Sequence, residues 1–388
     1  MTSGNSFKFY ADVCAKQQIR PNPHILDVLE KTQLTEDVTL KLAGNDRLRR
    51  VQRLDDRDVL VLSTCLRGDT RLDVSYNNIT DEGAGHLAEL LQDGSVLRSL
   101  DLTFNDIQTG GARALAKSLQ GNGTVRALRL SGNKIGDGGA MHLASMLQVN
   151  PTLRELEVAS CDLGSRSVTA FAVVLKSNQN VRCVDMSRPL LRSHQEEWAV
   201  HVSDMLVLNS CLLELHLGAM GMSNAGMEVL SEGLRLNRGL RYLDLRCNRV
   251  SSDGVRHLAE VMRHNTTLEI LDLSSNRIGD EGAGYLSAAL ARLSVRSNNI
   301  RTEGLLSLAR ALKVNDSLKH LYVWGNHLDE PVCQAFRELM ASGRLPPQQT
   351  DVSAYQVDGH VFLAEVFDSL RNPFPTYIIC FQCLHDAS

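Results

Sequence analysis

The chain has 388 residues, of which 43% are hydrophobic and 22% are charged, and its formal net charge at pH 7 is −4. This composition is typical of a folded protein, and the nearly balanced charge gives no basic field for holding nucleic acid. No apolar stretch approaches the roughly 18 residues of a membrane-spanning helix, and the first residues lack the apolar core of a secretory signal. We therefore expect neither a nucleic acid nor a membrane as a direct partner.

The cysteines are odd in number and scattered, which argues against a disulfide framework and fits a reducing cytosolic or nuclear compartment. The nine of them are Cys14, Cys65, Cys161, Cys183, Cys211, Cys247, Cys333, Cys380 and Cys383.

Residues 1–37 lack the pattern that fills most of the chain, and we expect them to form an N-terminal helical cap. Ile25 to Glu30 follow Pro21 and Pro23 and are predicted to belong to a short helix, because proline is tolerated at the first helical turn. A basic run extends from Arg47 to Arg53. A solvated loop between the first two strands explains this run more simply than a signal for a nuclear import receptor or an acidic partner.

A leucine-rich pattern repeats through residues 38–345. The sequence L-x-x-L-x-L-x-x-N-x-I recurs, for example as LRSLDLTFNDI at 97–107 and LEILDLSSNRI at 268–278. The second residue of the L-x-L core is found at Leu42, Val74, Leu102, Leu130, Val158, Met186, Leu217, Leu245, Leu273, Val295 and Val323, and seven of the ten spacings are 28 residues. Such a repeat buries its leucines only by stacking on its neighbours. The pattern predicts an α/β leucine-rich-repeat solenoid of about eleven repeats, a horseshoe with parallel strands on the concave face and helices on the convex face.

An asparagine follows the L-x-L core by three residues in most repeats. Its side-chain amide can pair with backbone groups of the turn and with the next repeat's turn. The residues are Asn77, Asn105, Asn133, Asn248, Asn276, Asn298 and Asn326. Cys161 replaces the asparagine in the fifth repeat, as the motif permits. Pro189 and Met220 replace it in the sixth and seventh, where we expect a weaker turn ladder.

Two segments depart from the regular spacing. Residues 186–209 separate the sixth and seventh strands by 31 residues and are predicted to hold a longer helix, with Trp198 on or near its packed face. The tenth repeat begins six residues early, because the return loop is missing between Leu290 and Leu293. Since a helix needs a linker to reverse into a parallel strand, we predict a truncated helix near residues 281–288 or a local distortion. A splice or gene-model fault explains the short repeat equally well.

Residues 346–388 are expected to form a C-terminal cap and a loosely ordered tail from Asn372 onward. The segment VDGHVFLAEVFDSL fits either a strand or a short helix. Cys380 and Cys383 form a C-x-x-C motif, but a zinc site needs two further ligands and His385 is the only obvious one nearby. We therefore expect no metal.

The sequence carries no motif for catalysis. It contains no G-x-x-x-x-G-K-[ST], no H-E-x-x-H and no G-x-S-x-G. His86, His142 and His257 each precede a Leu-Ala pair, which marks a position of the repeat and not a metal site. We expect no enzyme, no cofactor and no small-molecule substrate.

The concave face is the predicted working surface, because a solenoid presents an extended surface there. The residue between the two core residues of each strand points outward, and six of these eleven residues are acidic. Tyrosine and tryptophan are frequent anchors of interfaces. The predicted partner-binding residues are Asp73, Asp101, Glu157, Asp185, Asp244, Asp272, Tyr322 and Trp324. The alternative is that L-D-L is simply the commonest form of this repeat.

The 28-residue repeat with helices resembles the ribonuclease-inhibitor class of leucine-rich repeats. That class includes ribonuclease inhibitors, the activator of the Ran GTPase and the sensor arms of NOD-like receptors. Four non-consensus segments narrow the resemblance to one family of this class, over about residues 7–370. The segments are RPLLRSHQEEWAVHV, SCDLGSRSVTAFAVVL, LYVWGNHLDEPVC and TDVSAYQVDGHVFLAEV. The short tenth repeat and the IICFQCLHDAS ending depart from it.

The narrower resemblance implies a protein of the nucleus, including the nucleolus, and of the cytoplasm, linked to stem-cell or germ-cell differentiation. It provides no catalytic residues. We expect a non-catalytic protein-protein interaction scaffold with a protein partner, and nucleolar proteins are among the candidates for it. The alternatives are a GTPase-activating regulator of the Ran-activator type, against which the lack of a long acidic tail argues, and a ribonuclease inhibitor, which would be richer in cysteine.

Overall fold

The computed structural model describes residues 3–32, 38–46, 50–66, 70–92, 97–191, 196–286 and 290–366. The possible metal ligands Cys380, Cys383 and His385, the tail from Asn372 and part of the basic run lie outside these residues. The chain divides into two compact parts, unit 1 (Met1–Arg192) and unit 2 (Ser193–Ser388).

Unit 1 begins with two helices and continues as alternating strands and helices. Its elements are α1 (Ser3–Lys16), α2 (Pro23–Lys31), β1 (Val38–Lys41), α3 (Asp56–Cys65), β2 (Thr70–Asp73), α4 (Asp81–Gln92), β3 (Leu97–Asp101), α5 (Thr109–Gly121), β4 (Ala127–Arg129), α6 (Gly136–Leu147), β5 (Glu155–Glu157), α7 (Ser165–Leu175) and β6 (Cys183–Asp185). The six strands pair in parallel in chain order.

Unit 2 continues the alternation and ends in a hairpin. Its elements are α8 (Glu197–Leu208), β7 (Glu214–His216), α9 (Asn224–Leu236), β8 (Tyr242–Asp244), α10 (Ser252–Met262), β9 (Ile270–Asp272), α11 (Gly279–Tyr285), β10 (Arg292–Ser294), α12 (Thr302–Val314), β11 (His320–Tyr322), α13 (Glu330–Ala341), a 3₁₀ turn (Pro347–Gln349), β12 (Val352–Val357) and β13 (His360–Glu365). Strands β7 to β11 pair in parallel in chain order, and β12 pairs with β13 in antiparallel fashion. Eleven parallel strands alternating with helices confirm the predicted leucine-rich-repeat fold. Among the described residues, no helix has the length and apolar character needed to cross a membrane.

The leucine pattern builds the core as predicted. Alternate strand residues point to opposite sides of a sheet, and in β3 Leu100 and Leu102 are fully buried while Asp101 between them is partly exposed. In α4, Leu87 and Leu91 lie one turn apart and are both buried. Every repeat thus has a strand and a helix that cover the same apolar layer.

The predicted asparagine ladder is present. The Asn105 side chain accepts a hydrogen bond from the Ile79 N–H at 3.1 Å and donates to the carbonyls of Val74 and Leu102 at 3.0 Å each. The neighbouring turn that it contacts is therefore the preceding repeat's and not the next one's. The reason is the parallel register, which leaves the Val74 carbonyl of the preceding repeat within reach of the Asn105 amide.

Cys161 partly replaces an asparagine of this ladder, because its thiol donates to the Leu130 carbonyl at 3.1 Å. A thiol has one donor and no amide oxygen, so it makes fewer of the bonds of the motif.

A second asparagine ladder, which the sequence analysis did not identify, holds the loops between helices and strands. Asn237 accepts hydrogen bonds from the N–H groups of Gly239 and Leu240 and donates to the carbonyls of Leu206 and Asn209 at 2.8 and 2.9 Å. Equivalent bonds are made by Asn122, Asn150 and Asn265. The two ladders satisfy the turn backbone at both ends of the strands.

The irregular repeats differ in outcome. Helix α11 has seven residues, whereas α10 and α12 have 11 and 13, and β10 keeps a regular register with β9 and β11. The truncated helix is therefore confirmed. The longer helix predicted within residues 186–209 is wrong, because α8 has 12 residues and the extra chain precedes it, although Trp198 is buried as expected.

Polar side chains connect the terminal segments to the repeats. Near the start, helix α2 contains the predicted stretch, and Asn22 donates from Nδ2 to the Asp58 carboxylate of α3 at 2.7 Å. Near the end, the buried Asp351 carboxylate accepts hydrogen bonds from the N–H groups of Val323 and Trp324 at 2.8 and 3.1 Å. Those N–H groups would otherwise need a further repeat, since Val295 N–H, the equivalent group one repeat earlier, bonds to the Tyr322 carbonyl.

Candidate functional site

The strands of unit 1 present a row of charged side chains on the side away from the buried leucines. We define the unit 1 face as Asp73, Asp101, Arg129, Glu155, Glu157 and Asp185. The residues of this face that lie between the core leucines are paired across neighbouring strands, Asp73 with Asp101, Asp101 with Arg129, Arg129 with Glu157 and Glu157 with Asp185. Each of these five is partly exposed, and Glu155 is buried at their centre.

Arg129 is the centre of this face. Its guanidinium lies 2.5 Å from Glu155 Oε1, 3.2 Å from Glu157 Oε1 and 4.0 Å from Asp101 Oδ2. Burial disfavours the charged guanidinium, but the three carboxylates together raise the pKa of Arg129 above its ordinary value. Arg129 is therefore a fixed positive charge shared by three acids.

Burial also shifts the pKa values of two carboxylates of the face. Burial raises the pKa of Asp101. Burial is also the main cause that raises the pKa of Glu157 to about 8, with a further rise from Glu155 and Asp185 that Arg129 opposes. The ionised forms of Asp101 and Glu157 are therefore less favourable than in water.

Two aromatic rings border the same face. Tyr76 and Phe104 follow Asp73 and Asp101 by three residues, and their ring centroids are 4.8 Å apart with planes at 26°. Both residues have left-handed backbone angles, with φ of 57° and 52°, which turn their side chains out of the strand. Phe104 packs over Gly132, where an added Cβ would lie 2.4 Å from Phe104 Cδ1, and 48% of Phe104 remains exposed.

Three of the predicted residues of unit 2, Asp244, Asp272 and Tyr322, occupy the equivalent strand positions but are buried. Asp244 is 0% and Asp272 is 3% exposed, and Tyr322 forms a buried cluster with Tyr242 and Ile270. Trp324 is half-buried. The expectation that Asp244, Asp272 and Tyr322 are available at the surface is therefore not met, and a role for them in binding stays a prediction.

The pKa values of the two buried aspartates of unit 2 are shifted in opposite directions for local reasons. Burial alone would raise the pKa of Asp244, but a hydrogen bond from His216 and the charge of Arg246, whose Nε lies 2.8 Å away, lower it. Burial and the neighbouring Asp244 charge raise the pKa of Asp272 to about 6, against hydrogen bonds from Ser274. Both carboxylates therefore already contact other residues of unit 2.

The sequence analysis missed Arg129 and Glu155 as members of the site. The 28-residue spacing already places Arg129 between Asp101 and Glu157, so the signal was present in the register. Taken separately, the described residues of neither unit bring together three side chains that could hold a metal ion. The unit 1 face can therefore bind a partner through its charged side chains and through the Tyr76–Phe104 stack.

Comparison with known proteins agrees with this architecture. The Leucine Rich repeat family model matches residues 70–88, 95–116, 121–144, 149–172, 236–259, 264–287 and 290–309. Among solved structures, Leiomodin-1 Actin-Binding Site 2 aligns with a TM-score of 0.32 at 18% identity, over 39% of this chain and 88% of that chain. Nothing is inferred from a structural similarity this low.

Relatives cover nearly the whole chain. The human protein named Leucine-rich repeat-containing protein 34 is 54% identical over 95% of this chain and 82% of its own length. The mouse protein of the same name is 45% identical over 95% of this chain and 93% of its own length, and the rat protein is 50% identical over 96% and 94%. The chain belongs to the leucine-rich repeat-containing protein 34 family.

Proposed function

We propose that this chain is a non-catalytic scaffold that binds a protein partner on the unit 1 face. The observation that carries the proposal is the row of partly exposed charged side chains, bordered by the Tyr76–Phe104 stack, on strands fixed by hydrogen-bonded ladders. Interfaces use aromatic and arginine anchors surrounded by polar groups. A face held by short strands and two asparagine ladders loses little freedom on binding.

The test is capture of partners from cells by the full chain, with proteins identified by mass spectrometry. Asp101→Lys combined with Asp185→Lys should lose those partners that the face binds. The matched control is Glu89→Lys, which makes the same kind of charge change on the exposed surface of helix α4. Equal recovery of every partner by the wild type and the double variant would contradict the proposal, provided that both have the same circular dichroism spectrum.

Two activity assays provide independent ways to overturn the scaffold assignment. A single-turnover GTPase assay with the full chain tests for a GTPase-activating regulator, and titration against a ribonuclease tests for an inhibitor. Stimulated GTP hydrolysis in the first assay, or stoichiometric inhibition of the ribonuclease in the second, would contradict the scaffold function.

We further propose that the protein works in the nucleus, including the nucleolus, and in the cytoplasm, and takes part in stem-cell or germ-cell differentiation. The support is the resemblance of the non-consensus segments described above. Tagging the endogenous protein and imaging it with a nucleolar marker, before and during differentiation, tests both parts. Confinement to another compartment, or normal differentiation after deletion of the gene, would contradict the corresponding part.

A further inference from the structure

The unit 1 face contains two pairs of acidic side chains placed directly opposite each other on neighbouring strands. Asp73 lies opposite Asp101 on β2 and β3, and Glu157 lies opposite Asp185 on β5 and β6. Arg129 on β4 separates the two pairs. Acidic side chains directly opposite each other repel when both are ionised and then destabilise a sheet, and this arrangement occurs twice on one face. Such arrangements are expected where a surface serves binding.

The outer carboxylates keep one oxygen free of hydrogen bonds from the described residues. Asp73 accepts from Ser75 N–H and Oγ, and Asp185 accepts from Ser187 N–H, in each case through Oδ1. The Oδ2 atoms of both residues have no such partner. The nearby basic residues Lys41 and Arg188 form no ion pair with them within the described part of the chain. Each pair can therefore still accept a cation.

The two pairs differ in what surrounds them. Asp73 and Asp101 are each followed three residues later by an aromatic residue, Tyr76 and Phe104, whose rings stack and of which Phe104 is half-exposed. A guanidinium binds a carboxylate in bidentate fashion and also stacks on an aromatic face, which an ammonium does less well. The Glu157–Asp185 pair is followed by Ser160 and Arg188 in its turns, so its nearest turns offer no aromatic ring. The first pair suits arginine, and the second suits arginine or lysine.

The spacing of the pairs sets the length of chain that joins the two cations. Neighbouring strands lie about 4.8 Å apart, so the centres of the pairs are three spacings, or about 14 Å, apart. An extended peptide rises about 3.3 Å per residue and covers this distance in about four residues. A residue halfway between the cations would face Arg129 and would be repelled if it were basic.

We propose that the unit 1 face binds an extended protein segment that crosses the strands and carries an arginine on the Asp73–Asp101 pair and an arginine or lysine four residues away on the Glu157–Asp185 pair. The inference rests on the proposed scaffold function and specifies the chemistry of its partner. Ion pairing of one cation with each pair of carboxylates is the physical source of affinity, and the position of Arg129 is the source of selectivity.

The test measures binding of fluorescein-labelled, end-blocked peptides to the full chain by fluorescence anisotropy. The peptides contain serine and alanine with two arginines separated by two, four or seven positions, and a further four-position peptide carries lysine at its centre. We expect the four-position peptide to bind at least about tenfold more tightly than the others, and higher salt to weaken it. Equal affinity for all four peptides would overturn the proposal.

Variants of the chain locate the binding. Asp73→Asn and Asp185→Asn keep the oxygen that accepts the turn hydrogen bond but remove the charge, so each should weaken the four-position peptide several-fold and leave the fold intact. Glu89→Gln on helix α4 is the matched control. Because a like charge is removed, Asp73→Asn should also raise the midpoint of thermal unfolding, or at least leave it unchanged. Unchanged peptide affinity in both aspartate variants would refute the proposed site.

Failure of this inference is distinguishable from failure of the scaffold function. If the cellular partners are lost from the Asp101→Lys, Asp185→Lys variant while the arginine peptides show no spacing preference, the scaffold stands and the two-cation segment is wrong. If the peptides bind with the expected preference but no cellular partner depends on the face, the chemistry stands and the scaffold proposal fails.

Discussion

The two units have acidic residues at the same position of the repeat, but these residues differ in exposure. Asp101 of unit 1 and Asp244 of unit 2 both lie between two core leucines, but Asp101 is partly exposed and Asp244 is fully buried. The residue two positions earlier differs in size, since Ser99 precedes Asp101 whereas Tyr242 precedes Asp244. Tyr242 forms a buried cluster with Ile270 and Tyr322, so large side chains lie on the strand face of unit 2. An acidic residue at this strand position is therefore exposed or buried according to the size of the side chains around it.

The largest expected effect is on unit 2. Asp244→Ala removes the buried carboxylate that lies 2.8 Å from Arg246 Nε and 3.4 Å from His216 Nδ1, and it should destabilise the protein by about 3 kcal/mol, as breaking a buried ion pair does. Asp101→Ala, its equivalent in unit 1, should cost about 1 kcal/mol because it loses chiefly the hydrogen bond from the Thr103 N–H. Urea unfolding monitored by circular dichroism measures both. Similar losses in the two variants would remove the distinction between the faces.

The asparagine ladder should show no such difference. Asn105→Ala and Asn276→Ala each remove one accepted and two donated buried hydrogen bonds, and each should cost about 2 kcal/mol. The same unfolding experiment applies, with Asn78→Ala as an exposed control of the same type. Unequal costs would show that the units differ in their turns and not only in their faces.

The pH dependence of stability separates the units further. The pKa of Glu157 is raised to about 8 and that of Asp272 to about 6, above the ordinary values near 4 in an unfolded chain. In these windows the folded protein holds a proton that the unfolded chain has released, so stability falls as pH rises. Between pH 6.5 and 8.5 the fall comes from Glu157 and not from Asp272.

Glu157→Gln should therefore flatten the decline in unfolding free energy between pH 6.5 and 8.5, whereas Asp272→Asn should flatten it only between about pH 4 and 6. Urea titrations at four pH values, from 4.5 to 8.5, measure both slopes. A Glu157→Gln variant that keeps the wild-type slope above pH 6.5 would show that the folded protein does not hold a proton on Glu157 in this range.

The smallest expected effect on stability is that of Phe104→Ala, at about 0.5 kcal/mol, because the ring is half-exposed and packs only on its surface neighbours Tyr76 and Gly132 among the contacts described above. The same variant should weaken an arginine peptide more than a lysine peptide at the unit 1 face. Thermal unfolding and anisotropy together measure this contrast. If the binding of both peptides is weakened equally, the aromatic stack does not select arginine over lysine.

Much of the fold could be predicted from local pattern. The spacing of Leu102, Leu130 and Val158 predicted the register of the strands, and the return loop missing between Leu290 and Leu293 predicted the short helix α11 as one of two outcomes. The second ladder, with Asn237 as an example, was hidden because its partners are carbonyls about 30 residues earlier, which no local pattern reveals.

The sequence by itself determined the repeat, because leucines at a fixed spacing can leave water only by stacking on the neighbouring repeat. It also determined which side chains share a strand face, because alternation and register follow from the same spacing. Only the tertiary structure decided which of those side chains remain accessible and which acids share one arginine. Exposure and pKa depend on the bulk and charge of residues that lie far apart in the chain and meet only when the repeats stack.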